Sequence, residues 1–309
     1  MFSSKQQGYI VAGKQKRHAL IRATKDAAER AVKTNEIRGD FRIDTILMGS
    51  TGIGKTHWTK KSLDEIGIPY RMVRGSNTFF QFAGDLMIEH YGFTNRKNKQ
   101  PNEKLVIFVD DCDSLFKDKE GRNALKSMSE KAGNRVLQYN KVIQEFMLTP
   151  LQLEILDKYR YKNGSQGFEV DCNEMIFIFA TNFALPSENY ANNYIKDNGP
   201  TDRANRLMDL AAIRRRFTCK DFVLDKESNW GWLSEVTLND GLVDDILIGS
   251  SSKYQKEEIL TWVWNNWDYM TEHNLDTIKD LAYRIKEYPT NYVDSWEADY
   301  IDADLMVKS

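Results

Sequence analysis

The stretch Gly49-Ser50-Thr51-Gly52-Ile53-Gly54-Lys55-Thr56 fulfils the spacing G-x-x-x-x-G-K-[ST] at every fixed position. Glycine lets the backbone wrap closely enough for successive N–H groups to face phosphate oxygens, and a helix opening at Lys55 would add the positive end of its dipole. Lys55 supplies a point charge near the β and γ phosphates, and the Thr56 hydroxyl is a ligand for Mg²⁺. The residues therefore point to ATP bound as its Mg²⁺ complex. A plain glycine turn before a helix would share the composition, but the apolar strand in front of this one supports the phosphate-binding reading. Guanine specificity is disfavoured, because Asn98-Lys99-Gln100-Pro101 has Pro where an N-K-x-D base-reading motif needs Asp.

Such a loop needs a second carboxylate at the tip of a neighbouring strand. Leu105-Val106-Ile107-Phe108-Val109-Asp110-Asp111 is an apolar run ending in two acids. Asp110 is the expected holder of the metal through its water shell, and Asp111 the group that orients or deprotonates the attacking water. Asp113 lies close behind, in a direction that sequence does not fix. A further run, Met175-Ile176-Phe177-Ile178-Phe179-Ala180, ends in Thr181-Asn182. An amide at that tip can hold a water against the γ phosphate, although Asn is also a common first residue of a loop.

The elements that must position these groups follow from periodicity. Arg42 to Met48, Pro69 to Val73, Leu105 to Val109 and Met175 to Ala180 read as strands with helical stretches between them, which predicts a parallel sheet covered on both faces. Ahead of them, Leu20, Ala23, Ala27 and Ala31 recur at helical spacing between Lys14 and Arg38, with Gly39 as a stop. From about Asp225 the chain becomes helical and rich in Trp and acids, including Glu257 to Met270 and Leu275 to Glu287, and the tail after Asn291 is mostly acidic. The expected organisation is an N-terminal helical segment (1–40), an α/β nucleotide-binding domain (41–224) and a helical lid (225–309).

Composition sets outer bounds. The chain has 309 residues, 43 Lys and Arg against 45 Asp and Glu, and a formal net charge of -2, so no global basic field draws it to nucleic acid. Basic residues at Lys14, Lys16, Arg17, Arg22 and Lys25 read as a solvated helix face. The three cysteines, Cys112, Cys172 and Cys219, are far apart and lack CxxC spacing, which supports neither a disulfide framework nor a zinc site. With no membrane-length apolar run and no signal-peptide core at the N-terminus, a reducing, cytoplasmic setting is expected and no membrane partner.

Taken together these segments resemble the AAA+ ATPases, with Walker A at Gly49 to Thr56, Walker B at Leu105 to Asp111 and sensor 1 at Asn182, in family order over roughly Phe41 to Leu224. The resemblance implies a sheet order of 5-1-4-3-2, a helical lid, and a ring of identical subunits, expected as a hexamer, with ATP between neighbours. It implies an arginine finger in Asp209-Leu210-Ala211-Ala212-Ile213-Arg214-Arg215-Arg216-Phe217, with Arg216 first and Arg215 second. It also places Phe82-Ala83-Gly84 where ring translocases carry a substrate-gripping aromatic, although aromatics at a helix start are more often core.

Two departures from the family stand out. Walker B ends in Asp-Asp instead of Asp-Glu, which implies slow hydrolysis. Asp276 stands where a sensor 2 arginine belongs, leaving Lys279 or Arg284 as substitutes. About sixty residues, including Asn140 to Tyr161, separate Walker B from the sensor 1 strand, an insertion expected to carry specificity. The compact layout resembles small ATPases of phages and mobile elements. The expected function is a ring ATPase remodelling or translocating a macromolecule, chiefly a protein or nucleoprotein. The alternatives are a helicase- or clamp-loader-like replication accessory, for which direct DNA binding lacks support from net charge, and a slow nucleotide-dependent switch or scaffold.

Overall fold

The computed structural model describes residues 2–33, 44–74, 78–100, 103–130, 134–162, 166–249 and 251–302. Strands in chain order are β1 (Thr45–Gly49), β2 (Tyr70–Arg74), β3 (Leu105–Asp110), β4 (Val136–Tyr139), β5 (Phe168–Asp171), β6 (Met175–Thr181) and β7 (Thr218–Phe222). Helices are α1 (Ser4–Lys33), α2 (Lys55–Ile66), α3 (Phe79–Thr94), α4 (Asp113–Lys117), α5 (Lys119–Met128), α6 (Pro150–Leu156), α7 (Glu188–Asn198), α8 (Asp202–Arg216), α9 (Lys226–Asn239), α10 (Ser252–Asn266), α11 (Leu275–Glu287) and α12 (Tyr292–Tyr300). They form two compact units: Ala23–Gly49 with Thr56–Asp221, and Met1–Arg22 with Ser50–Lys55 and Phe222–Ser309.

The α/β unit is organised by a five-stranded sheet in the order β2-β3-β6-β1-β7. Numbered along the chain among themselves and read from the β7 edge, these strands give the expected 5-1-4-3-2. β2 pairs with β3, β3 with β6 and β6 with β1, all parallel. Every residue of β1 and β6 is buried, as in central strands covered on both faces, whereas β2 at the edge buries only Val73. The expected strands are displaced by at most a few residues; the expected start at Arg42 and the helix stop at Gly39 lie outside the described residues.

At the end of the sheet away from the strand tips, Arg135 donates to Asp44 (2.5 Å) and to the carbonyls of Met128 and Met175 (both 2.7 Å). Asp44 also accepts from the Phe177 N–H (2.9 Å). Burial pushes the Asp44 carboxyl above its ordinary range, with Arg135 opposing. Beginnings of β1 and β6 are thereby tied together, which fixes the register with which their other ends present side chains.

The sequence pattern gives no sign of the antiparallel pair β4-β5, which opens from the region between Walker B and β6 and encloses α6 in its connection. α6 is seated against α3: a side chain on Gly84 would come within 2.7 Å of Gln152 Nε2. That close approach, and not a loop turn, accounts for the glycine of the Phe82-Ala83-Gly84 triplet. Phe82 itself is 1% exposed and lies in the core with Phe79, Phe80 and Leu86. The substrate-grip expectation at Phe82 is therefore corrected: a gripping aromatic must stand on an exposed loop, and this one fills the interior. Phe82→Ala is expected to destabilise the α/β unit by about 3–5 kcal/mol, measured as a lowered denaturation midpoint.

The helical unit buries four of its six tryptophans, Trp230, Trp232, Trp267 and Trp296. Trp230 and Trp296 are fully enclosed, donating their indole N–H groups to the carbonyls of Leu260 (2.8 Å) and Leu281 (3.0 Å). The first part of α1 belongs to this unit, and the helix starts earlier than its sequence periodicity indicates. There α1 crosses α9 glycine on glycine: a Cβ on Gly13 would stand 2.2 Å from the Gly231 carbonyl carbon, and one on Gly231 1.9 Å from the Tyr9 oxygen. Arg17 pairs with Asp240 (2.5 Å) and Glu235 (3.7 Å) beside this crossing, so part of the basic face is engaged within the unit.

Candidate active site

β1 delivers the chain, fully buried, to Gly49, and α2 takes it up at Lys55. Between them Gly52 and Gly54 adopt φ values of 74° and 84°, the left-handed region that disfavours side chains. This conformation supplies the concave run of backbone that a phosphate-binding loop requires. The Lys55 ammonium folds back onto the Ser50 carbonyl (2.9 Å), and the Ser50 hydroxyl accepts from the Leu224 N–H (3.3 Å). Gly52 also faces Asn274: a Cβ there would lie 2.4 Å from the Asn274 Cβ. Asn274 caps α11 by accepting the Thr277 N–H (2.9 Å).

Thr56, next along the chain, donates its hydroxyl to the Asp110 carboxylate, 2.8 and 3.0 Å from the two oxygens. Asp110 ends β3, so the strand tip and the first turn of α2 present a hydroxyl and a carboxylate together. Hard oxygen donors of this kind are the set Mg²⁺ takes, usually with several waters retained.

Asp111 has φ 52°, the lone non-glycine residue with positive φ among those described. Asp tolerates this conformation better than most residues because its short polar side chain can bond locally. The chain bends there, directly after β3. Cys112 then sits across the neighbouring strand, its N–H and thiol both directed at the Ala180 carbonyl (3.5 and 3.3 Å). Burial holds the Cys112 thiol well above its ordinary pKa, which keeps it protonated and inert.

The structure also settles the direction of Asp113, which the sequence leaves open. Its Oδ1 accepts from the Thr181 hydroxyl (2.5 Å) and from the Asn182 N–H (3.0 Å). Thr181 is buried at the tip of β6, and Asn182 is exposed beyond it. Thr56, Asp110, Asp113, Thr181 and Asn182 thus gather at the carboxyl ends of β3 and β6. Asp113 and Thr181 are the participants to which the sequence assigns no role; a third acid after an apolar run is the available signal.

α8 is held to α5 by Asp209, which accepts from Lys126 (2.8 Å) and Arg122 (3.4 Å). Its last turn separates the three arginines. Arg214 donates to the Leu185 carbonyl (2.5 Å), Arg215 pairs with Glu188 (3.5 Å), and Arg216 with Glu130 (3.7 Å). The Arg215 side chain is 61% exposed and that of Arg216 25%.

Comparison with known proteins points to the same segments. Residues 45–189 match the family described as "ATPase family associated with various cellular activities (AAA)". Among solved structures, the chain is similar to the RuvB Holliday junction branch migration motor of Thermotoga maritima. The identity is 15% and the TM-score 0.41, over 94% of this chain and 67% of that one. No curated protein matches the chain. Among the described residues, no helix is long and apolar enough to cross a membrane.

Proposed function

We propose that the chain, whose residues 45–189 match the AAA family, is a P-loop ATPase that turns over MgATP in a ring of identical subunits to remodel a protein substrate. Support for the nucleotide part comes from the left-handed glycines of the loop and from Thr56 bonded to Asp110. In this reading Gly49 to Lys55 surround the phosphates, Thr56 and Asp110 hold the ion, Asp111 activates the water and Asn182 positions it. When bound, Mg²⁺ supplies charge neutralisation at the β and γ oxygens. Residues from 225 onward serve as the lid, and Arg216 or Arg215 completes a neighbour's site.

The observation favouring a protein substrate lies in the connection between β4 and β5. Val142, Phe146, Met147, Leu151 and Leu153 are exposed within a short stretch, Phe146 at 86%. Apolar side chains crowded on a surface suit contact with polypeptide, not phosphate. The near-neutral charge of the whole chain agrees with that choice. The Holliday junction in the name of the RuvB motor belongs to that protein, and DNA is the competing outcome for this one. We expect ATPase turnover to rise with an unfolded polypeptide, and the rise to be reduced by Phe146→Ser. Stimulation by single- or double-stranded DNA, with none by polypeptide, would replace this reading with the nucleic-acid one.

A further inference from the structure

We propose that Asp113 is a positioning residue for Asn182, setting where the sensor amide stands during hydrolysis. This rests on the reading of Asn182 as the residue that holds the attacking water. Sheet pairing does not extend to Asn182: the register between β1 and β6 ends at Met48 opposite Thr181. Asp113 holds the peptide carrying the amide, since one carboxylate oxygen receives both the hydroxyl of the last strand residue and the N–H of Asn182 itself. The Thr181 oxygen in turn accepts the Phe183 N–H (2.9 Å), so the residues on either side of Asn182 are held through the same centre.

The backbone has a positive φ at Asp111, and the residue that follows the metal-site acid by three positions lies against the tip of β6. This short segment links the water-activating carboxylate to the water-positioning amide through a few bonds. Loss of Asp113 removes the hydrogen bond that sets this peptide's position, and misplacement by about 1 Å can lower a rate about 10²-fold. The structural alternative is that Asp113 only stabilises the loop, in which case its loss lowers stability without acting through Asn182.

The test compares Asp113→Ala, Asn182→Ala, the double variant and Asp113→Asn in the full chain, measuring ATP affinity, turnover and thermal unfolding. Asp113→Ala and Asn182→Ala are each expected to bind ATP as the parent does and to lower turnover about 10–100-fold. The double variant should be no slower than Asn182→Ala alone, because residues acting as one unit are non-additive. Asp113→Asn keeps the accepting oxygen and should recover most of the rate. If Asn182→Ala turns over at the parent rate, the reading of Asn182 is wrong and the proposal falls with it. If Asn182→Ala is slow while Asp113→Ala is fast, or if the two losses multiply, or if Asp113→Asn is as slow as Asp113→Ala, the positioning role alone is overturned. Should Asp113→Ala fail to fold, Thr181→Val removes the shared hydroxyl and must slow turnover; a parent rate there also overturns the proposal.

Discussion

Asp111→Asn is expected to bind ATP as the parent chain does and to hydrolyse it about 10²–10⁴-fold more slowly, the range that positioned acid–base groups contribute. The substitution suits this position because Asn, like Asp, tolerates the left-handed backbone found there, with φ at 52°. It removes the charge and the proton-accepting capacity while sparing the backbone conformation that leads into Cys112 and Asp113. Asp111→Ala would confound the two effects.

Lys55→Ala gives the contrasting pattern. In the proposed reading its ammonium acts on ground-state phosphates, so the loss is expected to fall on binding. A charge-assisted hydrogen bond is worth about 1.5–3 kcal/mol, or about 10–150-fold in affinity. Nucleotide binding by fluorescence and phosphate release in single turnover separate the two variants. Turnover of Asp111→Asn at the parent rate would remove Asp111 from the water-activating role. The Asp-Asp ending also bears on the parent rate: one methylene less than Glu draws the carboxylate back by about 1 Å, a displacement that matters at a reacting centre.

The parts of this site legible in the sequence are those fixed by local chemistry. Gly52 and Gly54 announce a left-handed turn because other residues avoid it, and the buried runs at β3 and β6 announce their own ends where polarity returns at Asp110 and Asn182. The strand order needs the family resemblance, since parallel neighbours are joined by crossovers whose side and sequence the pattern alone does not give. Asp113 is visible as a residue but not as a contact, because its direction depends on a positive φ two residues earlier. Phe82 illustrates the reverse error: motif order puts it on a gripping loop, whereas an apolar aromatic at a helix start finds its free energy in the core beside Phe80 and Leu86. β4 and β5 escape notice because each is only four residues long and their partners are far apart in sequence. Asp44 and Arg135 are likewise unreadable, being a buried pair whose members have no local reason to meet.

Arg216→Ala is expected to lower turnover about 10³–10⁵-fold, the range for an arginine finger, if its guanidinium completes the site of an adjacent subunit. Within its own chain Arg216 pairs with Glu130 at 3.7 Å, and its Nη1 donates to the Ala212 carbonyl at 3.3 Å. The Glu130 side chain is half exposed, and surface pairs of this kind contribute only about 0–1 kcal/mol. A purely local role therefore predicts near-parent turnover with a slightly lowered unfolding temperature, while a role across subunits predicts the opposite balance. Mixing Arg216→Ala protein with Lys55→Ala protein makes the distinction sharper. Each is nearly inactive alone, but a mixed ring contains interfaces that combine an intact loop from one subunit with an intact arginine from the next, so activity should partly return. Failure to recover, in mixtures shown by native mass spectrometry to contain both proteins in one assembly, would rule out action in trans. Normal turnover by Arg216→Ala would pass the role to Arg215, whose side chain is the more exposed of the two and is engaged only with Glu188 at 3.5 Å among the ion pairs of the described residues. The same mixing experiment then applies to it, and recovery with Arg215→Ala but not with Arg216→Ala would identify the group that reaches the neighbouring nucleotide.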